Sequence, residues 1–323
     1  MTSENAKGPD LTREFEGVGA QISDSNVGDF RRLYHEMCAG ADFRLSGEYT
    51  VHDEVITGGP DGLRLRIFRP DGYGHFPIVV LFHGGWWVAG DLDSSANICK
   101  VIADTANVVV ICPEYRLAPE ARFPAPFEDA LRALEWAIAN AAHLDGDAEV
   151  VAVVGEGSGA TLAAFVTQQA HRRIRTSPTL QLLIDPVFTD GLFPQASGSR
   201  YSSVIEAVES FGRAELLWDA SGEQAAWLGD GIQVVAEVAQ VPAVTLVVGG
   251  KDTLANASVD RYLRDLMQAG AAVGLRFYQD QPQGFVTPYG DENSAGGKAL
   301  RYAARLLRYS LRQGWDPLLA LER

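Results

Sequence analysis

From Ile78 onward the chain alternates short, continuously apolar runs with longer amphipathic ones, and few folds accept that rhythm. The runs "IVVLFHGG", "NVVVICPEY", "EVVAVVGE", "LQLLIDPV", "AVTLVVGG" and "GLRFYQD" are rich in β-branched or aromatic residues or in leucine, and too short for helices. They read as strands, most of them buried on both faces. Between the later ones, "PFEDALRALEWAIANAA", "GATLAAFVTQQAHRRI", "ANASVDRYLRDLMQAG" and "SAGGKALRYAARLLRYSLRQG" repeat apolar residues at helical spacing. Alternation of this kind implies a mostly parallel sheet, because a crossover helix must carry the chain back before each new strand starts. Earlier, "YTVHDEVI" and "LRLRIFRP" follow one another with no helix between and read as hairpin-style strands. The prediction is an α/β fold with an eight-stranded sheet and helices on both faces.

At 323 residues this fits one large domain better than two equal ones. Two stretches break the alternation: about 1–45, which includes the amphipathic "NVGDFRRLYHEMC", and about 191–238. Both are expected to form a small helical cap on a single domain spanning 1–323. A formal net charge of -15 argues against nucleic acid or an anionic membrane as partner. No apolar stretch reaches membrane-spanning length. The start, "MTSENAKGPDLTREFEG", lacks the cationic and apolar parts of a secretion signal. Cys38, Cys99 and Cys112 show no metal spacing and cannot all pair, so a reduced cytoplasmic setting is expected. The expected partner is a small molecule, a homodimer is a conceivable assembly, and neither a metal nor a cofactor is expected.

Open parallel sheets bind ligands at the carboxyl ends of their strands. The glycine-rich turns after "VVLF" and "VAVV" both fall there and should share one cleft. "HGGWWVAGDLDSS" at His83–Ser95 and "PEYRLAPEARFPAPFEDALRALEW" at Pro113–Trp136 carry a resemblance. They are similar to the His-Gly-Gly-Gly loop and the most recognisable block of the hormone-sensitive-lipase-like carboxylesterases, a branch of the α/β-hydrolases. The resemblance runs from about Val51 to the C-terminal helix and implies the α/β-hydrolase fold.

The resemblance also implies a Ser-His-Asp triad, and the sequence departs from it at two positions. Where the family has a Gly-x-Ser-x-Gly turn, this chain has Gly155-Glu156-Gly157-Ser158-Gly159, ungapped, with Gly157 on the nucleophile position. Ser158 falls one residue later; as apex it would put Glu156 where a small residue is needed. In the segment "YQDQPQGF", Gln283 stands on the position of the histidine base. Glutamine cannot exchange a proton near neutral pH, and all six histidines precede residue 172. Asp252 matches the triad acid. It reads either as a general acid or base for a ligand or as a residue held by backbone hydrogen bonds.

Gly84, Gly85 and Ser158 offer backbone N–H groups to a carbonyl oxygen or anion. Trp86 replaces the third glycine of the loop and narrows the cleft or stacks on a planar ligand. Asp185 adds a carboxyl at a strand end, and Tyr289 is a further hydrogen-bond donor. His83, Trp87, Asp91 and Glu156 read as structural. Missing nucleophile and base together lead to the expectation of a non-hydrolytic enzyme of cyclase, lyase, dehydratase, decarboxylase or isomerase type, acting on a small planar or hydrophobic metabolite. The alternatives are a ligand-binding module without turnover, as the resemblance to receptor-like relatives implies, and a carboxylesterase working through Ser158 or through water activated by Asp252.

Overall fold

The structure is a computed structural model that describes residues 25–39, 43–57, 62–173, 177–188, 242–251, 253–286 and 292–314. Eight strands form one sheet in the order β1-β2-β4-β3-β5-β6-β7-β8. They are β1 (Tyr49–Ile56), β2 (Leu63–Pro70), β3 (Phe76–Phe82), β4 (Val109–Pro113), β5 (Gly146–Glu156), β6 (Leu180–Ile184), β7 (Ala243–Gly249) and β8 (Val273–Tyr278). β1 and β2 pair antiparallel, as do β2 and β4; every other pairing is parallel. The expected α/β architecture, mostly parallel and eight-stranded, is what forms.

Period-two alternation along β3 shows why both faces must be covered. Ile78, Val80 and Phe82 enter one core with Phe127, Leu134 and Phe165, while Val79 and Leu81 enter the other with Ile98, Leu300 and Leu307. The first face carries α1 (Val27–Ala39), α3 (Ala125–Ala139), α4 (Ser158–Arg173) and α5 (Thr253–Gln268); the second carries α2 (Ala96–Ile102) and α6 (Ala295–Gln313). α6 starts where its sequence says it should: the Ser294 hydroxyl accepts from Gly297 N at 2.9 Å. β1 is an edge strand with Val51 and Val55 exposed, and its interleaved His52, Asp53 and Glu54 blunt that edge.

No helix of the described residues is long and apolar enough to cross a membrane. The three cysteines are buried free thiols. Of the two stretches read as a cap, residues 189–241 and 1–24 lie outside the described residues. α1, from the first of them, packs Phe30, Tyr34 and Cys38 into the core below the ends of β3 and β5.

Candidate active site

β3 and β5 are parallel neighbours, so the turns that follow them meet at one end of the sheet. β5 ends at Glu156, the chain turns at Gly157, and α4 begins at Ser158. Gly157 takes a φ of +55°, which glycine adopts without strain. Its N–H donates to Ile184 O at 2.9 Å and its carbonyl accepts from Val187 N at 3.0 Å, which ties the turn to the end of β6. The flanking glycines are needed for space. A Cβ on Gly155 would stand 2.3 Å from Gly159 O, and one on Gly159 would stand 2.1 Å from Phe82 O. Strand and helix therefore cross at backbone contact two residues either side of Gly157, and Gly157 is the apex. Gly159→Ala is expected to destabilise the fold by about 3 kcal/mol through overpacking against backbone that cannot retreat. Urea unfolding measures this directly; an unchanged midpoint would mean a looser crossing.

Ser158 is buried, 1% exposed. Its Oγ accepts from Trp87 N at 3.3 Å and is hydrogen-bonded to the buried Tyr115 hydroxyl. The hydroxyl is thus held under the loop after β3. That loop faces the turn: a Cβ added at Gly157 would lie 3.7 Å from Gly84 Cα, ordinary contact distance. A Cβ on Gly84 would stand 1.9 Å from Glu156 Oε2, so a side chain there would have to displace the Glu156 carboxyl. Glu156 is buried, and its charge pushes the buried hydroxyls of Tyr34 and Tyr115 further up, on top of the larger effect of their burial.

Three left-handed residues follow in the loop: Gly85 at φ +117°, Trp86 at +56° and Trp87 at +59°. For a non-glycine residue this conformation costs about 1–2 kcal/mol. The Trp87 side chain is fully buried, and Trp86 packs on the same core while remaining partly exposed. His83 anchors the start of the loop. A carbonyl only accepts, so the 2.7 Å contact between His83 Nδ1 and Gly84 O fixes the proton on Nδ1. The ring stacks on Tyr115 at 4.2 Å, and the Tyr115 hydroxyl donates to His83 O at 2.7 Å. Burial pulls the His83 pKa down to about 4, so the imidazole is neutral across the physiological range. Asp91 closes the loop by accepting from Asp93 N and Ser94 N. These contacts fix His83, Trp87 and Asp91 within the frame of the loop.

Asp185 follows β6 at φ +44° and is 2% exposed. Its Oδ1 accepts from Gly249 N at 2.7 Å at the end of β7, and its own N–H donates to Val247 O at 2.7 Å. The N–H groups of Gly284 and Val286 also lie near the carboxyl, although Oδ2 has no partner of good geometry among the described residues. Desolvation by burial, reinforced by the Glu156 charge, outweighs these amides and pushes the Asp185 pKa up to about 8. The carboxyl thus joins β7 to the loop that carries Gln283. Gln283 is half-buried, and its Nε2 lacks a hydrogen-bond partner among the described residues. Asp252 and Tyr289 lie outside the described residues.

The structure thus brings Gly84, Gly85, Trp86, Gly157 and Ser158 into one place, and joins Asp185 to the segment of Gln283. Sequence reading did not single out Tyr115, the shared partner of His83 and Ser158. Nor did it single out Arg31, whose guanidinium reaches Val88 O at 2.7 Å from α1. Tyr115 lies within the Pro113–Trp136 block, yet nothing in its spacing points it at His83, 32 positions away, and Arg31 reaches Val88 from 57 positions away.

Comparison with known proteins places this geometry. A family profile described as alpha/beta hydrolase fold matches residues 79–287. The chain is 34% identical over 172 residues to versiconal hemiacetal acetate esterase of Dothistroma septosporum, a match over 51% of this chain that spans half the length of that relative. It is 32% identical to carboxylic ester hydrolase LipN of Mycobacterium tuberculosis, over 79% of this chain and 70% of that protein. Among solved structures, the thermostable carboxylesterase EstE1 from a metagenomic library superposes with a TM-score of 0.72 at 25% identity, covering 88% of this chain and 98% of its own. Proteins named as ester hydrolases overturn the expectation of a non-hydrolytic cyclase or lyase and give no support to a binding module without turnover. The physical reason is that the two facing turns after β3 and β5 are present here, while the expectation named no side chain that would carry out an elimination or a cyclisation. With its profile match covering most of the sheet and LipN similar along most of its length, the chain belongs to the alpha/beta hydrolase fold family.

Proposed function

We propose that this protein hydrolyses small carboxylic esters and that water, not an enzyme side chain, attacks the acyl carbon. The observation carrying the reading is the pair of facing turns at Gly84 and Gly157, kept in a chain similar to LipN, with glycine at the apex. A glycine apex and Gln283 form a triad from which nucleophile and base have been replaced, leaving Asp252. Backbone N–H groups of the Gly84–Trp86 loop and of Ser158 hold the ester carbonyl oxygen, and the Trp86 indole bounds the acyl side. Water beside Gly157 bonds to the acyl carbon as its proton passes to the Asp252 carboxylate. The bond to the alkoxy oxygen then breaks and the proton goes to the leaving alkoxide, giving acid and alcohol. Gln283, Asp185 and Tyr289 are assigned to the walls of this site. The chain acts as a single domain, with the stretches near 1–45 and 191–238 as its cap, on a cytoplasmic small molecule.

Purified protein with p-nitrophenyl acetate and butyrate tests the reading. Turnover above buffer is expected, with no burst and no fluorophosphonate adduct at Ser158. Asp252→Asn is expected to lower kcat by about 10²-fold, the lower range for loss of a general base. Rates equal to buffer would overturn hydrolysis. A burst with an adduct at Ser158 would overturn attack by water.

A further inference from the structure

We propose that Arg31 is a positioning residue that holds the loop after β3 in its left-handed conformation. This rests on the reading of that loop as the holder of the ester carbonyl. Gly85, Trp86 and Trp87 take positive φ one after another, and two of them bear large side chains. Backbone of this kind persists only where its surroundings over-determine it.

The contacts that do so can be followed one by one. Inside the loop, Val88 N and Ala89 N donate to Gly85 O at 3.0 and 2.8 Å. From below, the Ser158 hydroxyl accepts from Trp87 N. From the side, Ala118 N donates to Trp87 O at 2.8 Å. These leave the outer end of the loop and the carbonyl of Ala118, and one guanidinium serves both. Arg31 Nε donates to Val88 O at 2.7 Å, and Arg31 Nη2 donates to Ala118 O at 2.8 Å. The fork is held on its far side by Glu120, with 2.8 and 2.6 Å contacts from Nη1 and Nη2.

Arg31 therefore bolts together the two chain segments that grip Trp87. It is delivered by α1, whose Phe30, Leu33 and Tyr34 are buried, so its base does not wander. The planar fork is essential. A lysine ammonium on the same stem is a point charge and cannot meet carbonyls on two segments and a carboxylate with fixed divergent donors. Arg31 touches no reacting atom; it acts through the N–H groups of residues 84–86.

Hydrogen exchange on the substrate-free protein tests this apart from turnover. In Arg31→Gln, amides of residues 86–89 are expected to exchange at least 10-fold faster, with those of β5 and β6 unchanged. Arg31→Lys is expected to behave similarly, and Glu120→Gln to stay within 3-fold of wild type. With p-nitrophenyl acetate, Arg31→Gln and Arg31→Lys are expected to lower kcat at least 10-fold while KM moves less than 3-fold. Loop exchange unchanged in both variants would overturn the proposal. So would equal acceleration in β5 and β6, which would make Arg31 a general stability residue. If wild type hydrolyses no ester, the hydrolase reading fails while loop exchange still decides the role of Arg31.

Discussion

The double variant Gly157→Ser/Gln283→His is expected to become covalently labelled at residue 157 by a fluorophosphonate, which wild type is not. Its hydrolysis of p-nitrophenyl acetate is expected to rise by about 10²–10⁴-fold over wild type, the range a positioned general base contributes. The turn can accept the serine. Among the described residues a Cβ at position 157 meets nothing nearer than Gly84 Cα at 3.7 Å, and its penalty there is a side chain at φ +55°. That strain costs about 1–2 kcal/mol of stability. Gly157→Ser alone is expected to stay within about 10-fold of wild type, because a hydroxyl without a base is a weak nucleophile. Mass spectrometry of the labelled protein reads the outcome. Labelling at Ser158 instead of residue 157 would show that the apex is misassigned.

Asp185→Asn carries the second large effect, on stability. Burial raises the carboxyl from its ordinary 3.8 to about 8, so between those pH values the folded chain keeps a proton that the unfolded chain has released. Unfolding then releases protons, and stability must fall as pH rises through that window. Asparagine keeps the oxygen that accepts from Gly249 N and does not titrate. The stability gap in favour of the variant is therefore expected to open from about pH 4 by up to about 1.4 kcal/mol per pH unit. It flattens near pH 8, where the wild-type carboxyl ionises in the folded chain as well. Urea titrations from pH 5 to 9 measure the gap. A difference that does not change with pH would mean that Asp185 is as well solvated folded as unfolded. His83 tilts both proteins the other way below pH 6.5 and cancels in the difference.

Much of this architecture is legible in the sequence because the parallel strands are short apolar runs and α3 to α6 are long and periodic. The tight turn between β5 and α4 is legible too, because Gly155 and Gly159 stand where strand and helix leave no room for a Cβ. α2 was not. At Ala96–Ile102 it is a short helix containing β-branched Ile98, Val101 and Ile102, and its helical state is imposed by burial against α6 and β4. The partners of Asp185 were equally hidden, because they are backbone amides that the sheet order brings together. The expectation of a non-hydrolytic reaction rests on side chains read as absent, and an absence is not chemistry; the relatives that the chain resembles over most of its length are named as ester hydrolases.

The close crossing of β5 and α4 has an evolutionary corollary. Neither Gly155 nor Gly159 tolerates even a methyl, while a Cβ at Gly157 meets no atom of the described residues closer than ordinary contact distance. Such a socket freezes its rim and leaves its content exchangeable. Serine and glycine codons differ by a single nucleotide, so a lineage built on this turn can exchange the residue at its centre in one mutational step without refolding anything around it.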